Sequence, residues 1–252
     1  MARGLVYDLP TRLFHWLFVG LFLTAFVITK TVDDESVTFS YHMIAGMTLS
    51  FLVVLRIIWG VLGTKHAKFS GFALRPADLI SYMSGIFSGS KRRWAGHNPA
   101  SSWAAVIMMI LALSLGMTGF RMATGPENHD IKEIHEFLAT LFMVVAVTHV
   151  IGIVVHTIRH KEMIGLSMID GKKDSPASGQ TIGDQKTLIG IIGLLLVLGW
   201  GANLLAKFEP ATRSLNLFGI HLQLGENEEE EHESEGHEAT SEEKESEEHH
   251  KD

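Results

Sequence analysis

Five long apolar runs, separated by charged segments, set the pattern of this chain. They fall at about Leu13 to Thr29, Tyr41 to Leu62, Trp103 to Phe120, Ile134 to Ile158 and Thr187 to Ala206. Crossing a hydrocarbon core as a helix takes roughly 20 apolar residues, so each run is long enough to span. Lipid offers no partner to a backbone N–H or C=O, which predicts a helix for every run. The first run is not read as a cleaved leader. Arg12 and His15 stand at its start, and Asp33, Asp34 and Glu35 follow where small residues would mark cleavage. Between the second and third runs, Pro76 followed by Asp78 to Phe87 predicts a short surface helix. Asn98-Pro99 then leads into the third span, with Ser101 or Ser102 as its cap.

Charge changes the picture twice. The net charge of −7 hides a division: from Gly225 onward there are 14 acidic and 2 basic residues, leaving 14 acidic and 19 basic in the rest. The last segment, 226–252, is almost wholly Glu, Ser and His, which predicts a disordered acidic tail whose His232, His237, His249 and His250 bind metal weakly at most. The basic residues also cluster in alternate loops. Lys65, Lys68, Arg75, Lys91, Arg92 and Arg93 follow the second span; Arg159, Lys161, Lys172, Lys173 and Lys186 follow the fourth; Arg3 and Arg12 precede the first. Positive loops stay inside, which predicts a cytoplasmic N-terminus and, after five crossings, a periplasmic C-terminus at a bacterial inner membrane. No basic patch is interleaved with aromatics, so nucleic acid is excluded as a partner. With no cysteine, the chain holds no thiolate-ligated zinc, iron–sulfur cluster or covalently attached haem.

The histidines carry the candidate chemistry. His15 lies near the cytoplasmic start of the first span, His42 near the outer start of the second, and His135 near the outer start of the fourth; His149 lies 14 residues further along that fourth helix. Fourteen residues rise about 21 Å and return to within about 40° of the same face. One helix thus presents two imidazoles inward at two depths, with His42 level with His135 and His15 level with His149. A hydrogen-bonded core histidine or a zinc or copper ligand is the alternative for each taken singly. Four at two matched depths suit two haems, each held by two axial imidazoles. On depth alone His156, seven residues beyond His149 and nearer the cytoplasmic surface, pairs with His15 better than His149 does, but helix tilt shifts such levels by several ångströms, so depth does not choose between them. His66, His97, His129, His160 and His221 fall in loops or at interfaces.

Supporting residues read both ways. Gly20, Gly46 and Gly152 near the histidines leave room for a macrocycle or simply let helices approach, as do Gly116 and Gly119. Arg56, 14 residues after His42, is placed to pair a haem propionate or contact a quinone, or else snorkels to the interface; Arg12 has the same two readings.

Several of these motifs occur together in one known family. Leu13-Phe14-His15-Trp16, His42 with Gly46 and Leu55-Arg56, Gly96-His97-Asn98-Pro99, and His135-Glu136 with Leu138-Ala139-Thr140 and His149 resemble the prokaryotic cytochrome b-561 family, which includes the b-type cytochrome subunits of nickel–iron hydrogenases. The resemblance covers about residues 5–165. It implies two non-covalent b haems on His15, His42, His135 and His149, favours His149 over His156 as the inner ligand, and implies exchange with a membrane quinone; by position, Arg56 and His156 are candidate propionate or quinone contacts.

The expectation is an all-α integral membrane protein: a four-helix transmembrane haem-binding bundle over 1–165, a cytoplasmic linker over 166–186, a fifth transmembrane helix over 187–206, a periplasmic segment over 207–225 and the acidic tail over 226–252. The expected function is electron transfer through two bis-histidine haems between the quinone pool and a periplasmic c-type cytochrome or oxidoreductase subunit, in lipid, with room for a homodimer. A self-sufficient quinone reductase using superoxide, and a haem-free anchor or transporter, are the competing readings.

Overall fold

Asp8 starts α1 (Leu9–Thr31) four residues ahead of the first apolar run. Its carboxylate accepts from Thr11 N at 2.9 Å, and Pro10 sits in the first turn. The same buried carboxylate accepts from Thr64 Oγ1 at 2.6 Å and Trp59 Nε1 at 3.2 Å. One side chain therefore ties the start of α1 to the end of α2 (Ser40–Leu62). The computed structural model describes residues 3–88, 94, 96–126, 128–161, 163–174 and 179–225. The acidic tail with its histidines, and Lys91, Arg92 and Arg93, lie outside the described residues.

The remaining runs are helical as predicted, each longer than its apolar core. They form α4 (Pro99–Thr124), α5 (His129–His160) and α7 (Thr187–Lys207), and the surface helix is α3 (Pro76–Ser88). Polar caps supply the added turns. Asn128 accepts from Ile131 N at 3.1 Å and starts α5 five residues before its apolar run, which carries His135 inside the helix. The cap of α4 is Asn98, which accepts from Ser101 N at 2.8 Å, and not Ser101 or Ser102. Pro99 belongs at the first helical position, where its missing N–H costs nothing, so the residue before it caps. Ser102 Oγ instead accepts from Ala73 N at 3.1 Å. A short α6 (Ser167–Asp170) follows α5.

Helix α1 packs on α2 and α7, α2 packs on α4 and α7, and α4 packs on α5. Gly116 lets α4 approach α2 closely, since a Cβ there would collide with Ser50 Oγ. Phe18, Leu52, Val53, Met109, Ala112, Phe142 and Val197 are buried at mid-depth. α1 and α5 meet through rings: Phe142 stacks on Phe22 at 4.1 Å and on Phe18 at 5.8 Å. The five long helices make this an all-helical, multi-pass membrane protein.

Two small sheets close the ends. At the end holding the N-terminus and the basic loops, β1 (Arg3–Leu5) runs antiparallel to β2 (Lys172–Asp174), with Arg3 opposite Asp174. Arg3 pairs with Asp170 and, at 3.2 Å, with Asp174. Such exposed pairs are worth about 1 kcal/mol or less, so the ladder and its buried neighbours Val6 and Tyr7 hold this clasp. At the distal end, β3 (Phe208–Glu209), β4 (Ser214–Leu217) and β5 (Ile220–Gln223) form a meander. Leu204, Phe208, Leu215, Leu217, Leu222 and Leu224 form its underside, packed on Ile44 of α2 and Ala123 of α4.

Candidate functional site

The structure brings His42 of α2 and His135 of α5 together at the distal depth, with ring centres 6.2 Å apart and planes crossed at 78°. Two imidazoles each about 2.0 Å from one metal atom would place their ring centres roughly 6 Å apart. His42 Nδ1 lies 3.0 Å from Ala25 O. A carbonyl only accepts, so Nδ1 carries the proton and Nε2 keeps its lone pair. His135 Nδ1 lies 2.8 Å from Thr118 Oγ1, and the Thr118 hydroxyl donates into its own helix, toward Ser114 O at 3.0 Å and Leu115 O at 3.1 Å. The network assigns the same tautomer to both rings. Gly46, one turn from His42 on the same face, has no atom within 4 Å of where a Cβ would stand, and a Cβ on Gly119 would lie 3.6 Å from His135 Cε1.

At the basic end, His15 and His149 line one cavity of about 640 Å³. They are close enough to interact electrostatically. His156 lines the cavity too, but its Nδ1 lies 3.1 Å from the Tyr82 hydroxyl, which burial keeps protonated by raising its pKa. Phe142 forms part of the wall, seven residues from both His135 and His149, so an aromatic ring stands between the two depths. Gly20 and Gly152 also face open space, but they are exposed, so nothing separates a cofactor gap from the lipid side there.

The polar lining of the cavity is cationic. Arg56 does not snorkel. It is buried, its Nη2 donates to Ala67 O at 2.9 Å, and the rings of Phe69 and Phe14 lie 5.1 and 5.6 Å from the guanidinium. Its buried Nη1 has no hydrogen-bond partner among the described residues. The buried carboxylate of Asp8 is near enough to act on this charge, but Nη1 still lacks an acceptor, and a buried donor left unused is costly unless one arrives. Lys173 of β2, whose Nζ donates to Gly96 O at 2.6 Å, lines the same end. His97 sits there between Tyr7 and Phe72, its ring centre 5.1 and 4.7 Å from theirs. Burial, then the charges of Lys173 and Arg56, push His97 down to about 3, so it is neutral at physiological pH. Arg12 does not snorkel either. Its Nη1 donates to Ile169 O at 2.6 Å and its Nη2 to Gln185 Oε1 at 3.0 Å, a structural role. Sequence reasoning missed Tyr7, Asp8, Thr118 and Lys173. A buried N-cap followed by proline marks Asp8; nothing local marks the others.

The donor set limits what these depths can hold. Among the described residues no three of His, Cys, Asp or Glu gather as a bare metal ion requires. A haem needs only two axial donors, because its ring supplies four nitrogens. The pairs, the distal open face at Gly46, the cavity and the unsatisfied guanidinium all fit that group.

A multi-pass bundle with imidazoles facing one another across its interior defines a membrane cytochrome of the b type. Sequence comparison agrees: the profile of the family described as prokaryotic cytochrome b561 matches residues 6–171, and the chain belongs to that family. A probable Ni/Fe-hydrogenase B-type cytochrome subunit of Rhizobium leguminosarum bv. viciae is 23% identical over 216 residues, covering 67% of this chain and 87% of that protein. A probable Ni/Fe-hydrogenase 1 B-type cytochrome subunit of Escherichia coli (strain K12) is 22% identical over 162 residues, covering 54% of this chain and 67% of that protein. No solved structure matches. Membership makes the chain a haem b protein of membrane electron transfer. The match stops just before β2, so α7, the distal sheet and the tail lie beyond the family core.

Proposed function

We propose that the chain carries electrons across the membrane through two b haems, one held by His42 and His135 and the other by His15 and His149. The observation that carries this is the 6.2 Å separation of the His42 and His135 rings, with both Nδ1 atoms engaged and neither Nε2 atom hydrogen-bonded among the described residues. Bound haem supplies a reversible one-electron iron couple at each depth. The chain's own residues orient the axial rings, exclude water from them and, at the basic end, offer Arg56 and Lys173 to the propionates. His156 and Tyr82 border the cavity on the side of the surface helix, where a quinone headgroup entering from lipid would meet them.

The basic end faces the cytoplasm on this reading, as the charge of its loops favours. The distal sheet then faces the periplasm and meets the redox partner. The relatives' names point to an oxidoreductase subunit as that partner, with a c-type cytochrome as the alternative.

Haem content and reduced-minus-oxidised spectra of the purified chain test the ligands. The expected result is two haems per chain, one lost in His42→Ala or His135→Ala, the other in His15→Ala or His149→Ala, and none in His156→Ala. Full pigment in all four ligand variants overturns the assignment. Orientation is read separately, from protease access to the acidic tail in sealed vesicles of known sidedness.

A further inference from the structure

The turn between β4 and β5, Phe218-Gly219, points back toward the membrane. β3 leaves the end of α7 at Phe208, so antiparallel β4 returns toward the helix it came from. Phe208 pairs with Leu215, which leaves three residues to reach Phe218, roughly 10 Å of strand. Trp200 lies eight residues before Phe208, roughly 12 Å back along α7. The two rings accordingly meet: their centres are 6.2 Å apart and their planes stack at 23°. Lys207, in the last turn of α7, holds its Nζ 5.8 Å from the centre of the Phe218 ring. The far side of Trp200 stacks on Phe51 of α2 at 5.1 Å, so the contact continues into the bundle.

Despite these contacts Phe218 is 81% exposed, and Ile220 is 46% exposed beside it. Phe218 also has a φ of 52°, in the left-handed region, and Gly219 follows at 82°. Asparagine, aspartate and glycine are the usual residues there; a bulky aromatic is not. The turn thus carries a large apolar ring where the backbone prefers a small polar residue. It holds that ring on the outside of the last two turns of a membrane helix. Leu196, one turn before Trp200 on the same face of α7, is 49% exposed. An aromatic and a lysine at the end of a span is the composition that suits the boundary between headgroups and acyl chains.

We propose that the Phe218 turn is a membrane-surface anchor, with Phe218 and Ile220 seated at the headgroup–acyl boundary of the leaflet at the distal end. The occupant of this exposed apolar tip is lipid, because the tip is continuous along one face of α7 with the exposed Leu196 and Ile189, about one and three turns before Trp200. Seated there, the tip pins the whole meander against the bilayer, and with it the cover that Leu215, Leu217 and Leu222 place over Ile44 and Ala123. The proposal stands apart from the haem assignment and stays open to test in a colourless protein.

The chain has no cysteine, so single-site labelling is clean. Ile220→Cys, with Phe218 intact, is labelled with an environment-sensitive fluorophore in vesicles of phosphatidylcholine and phosphatidylglycerol. Ala211→Cys, in the turn at the opposite end of β4, serves as the control. The expected result is blue-shifted emission at position 220, quenched severalfold more by a nitroxide at the top of the acyl chains than by aqueous iodide, with the reverse order at 211. Adding Phe218→Asn, which suits the positive φ and so keeps the fold, moves the 220 label toward iodide. Equal iodide quenching at both positions overturns the proposal. So does shielding at 220 from both quenchers, which would mean that protein covers the tip.

Discussion

His135 Nδ1 on α5 lies 2.8 Å from Thr118 Oγ1 on α4, a helix that donates no histidine of its own. The hydroxyl donates its proton within α4, so it receives the His135 Nδ1–H and turns Nε2 into the bundle. A partner on the second nitrogen of a ligating imidazole raises its basicity and fixes its orientation. Thr118→Val is therefore expected to loosen the distal haem about tenfold and to shift its midpoint potential upward, because a weaker ligand favours the ferric state less. Potentiometric titration of the two haems checks this; the basal haem keeps its potential.

Gly46 leaves the distal face open beside His42. Gly46→Leu is expected to be tolerated by the fold, since no atom stands within 4 Å of the new Cβ, and to exclude the distal haem. Haem content falls from two to one per chain while the thermal midpoint of the haem-free protein changes by less than about 1 kcal/mol equivalent. Unchanged haem content would remove Gly46 from the site.

Arg56 brings a buried positive charge with an unused Nη1 donor to the basal cavity. A nearby cation stabilises the reduced iron, so Arg56→Gln is expected to lower the basal potential and leave the distal one in place. The substitution also strands a shell of phenylalanines cut to fit a guanidinium, and a loss of about 2 kcal/mol in stability is expected. The selective potential shift, read in the same sample, separates the electrostatic role from the structural one.

Acid should weaken the basal end. Burial, with Lys173 and Arg56 nearby, pushes His97 down to about 3, and burial, with Lys65 and Lys173 nearby, lowers His66. Unfolded imidazoles take up protons below about pH 6.5, while the folded ones stay neutral. Stability is then flat above that pH and falls as pH drops below it, His97 contributing up to about 1.4 kcal/mol per pH unit down to about 3 and His66 adding to the slope in the same direction. Thermal melts across this window are expected to show a shallower acid slope for His97→Gln than for the unsubstituted chain.

The spans, and the placing of His42 near His135 and of His15 near His149, were legible because both signals are periodic and local. A run of apolar residues declares its own helix, and a 14-residue interval puts His135 and His149 on one face. Arg56 was visible as an inward arginine, but whether it snorkels depends on Phe14 of α1 and on Phe69 and Phe72 of the loop after α2, which sequence alone does not bring to it. Thr118 gives no sequence signal, since its role exists only where α4 meets α5. The clasp pairs Arg3 with Asp174 across most of the chain, and the distal meander uses strands of two to four residues, too short for alternation to stand out.

The β1–β2 clasp has a consequence for biosynthesis. β1 emerges from the ribosome almost at once, but its partner strand ends at Asp174. At 5–20 residues per second, roughly 10 to 30 seconds pass before the two can join. During that interval Tyr7 and Lys173 have not yet met, and the chamber they share has no floor. On the proposed orientation, a haem reaching this end from the cytoplasm would find the chamber open until β2 pairs with β1.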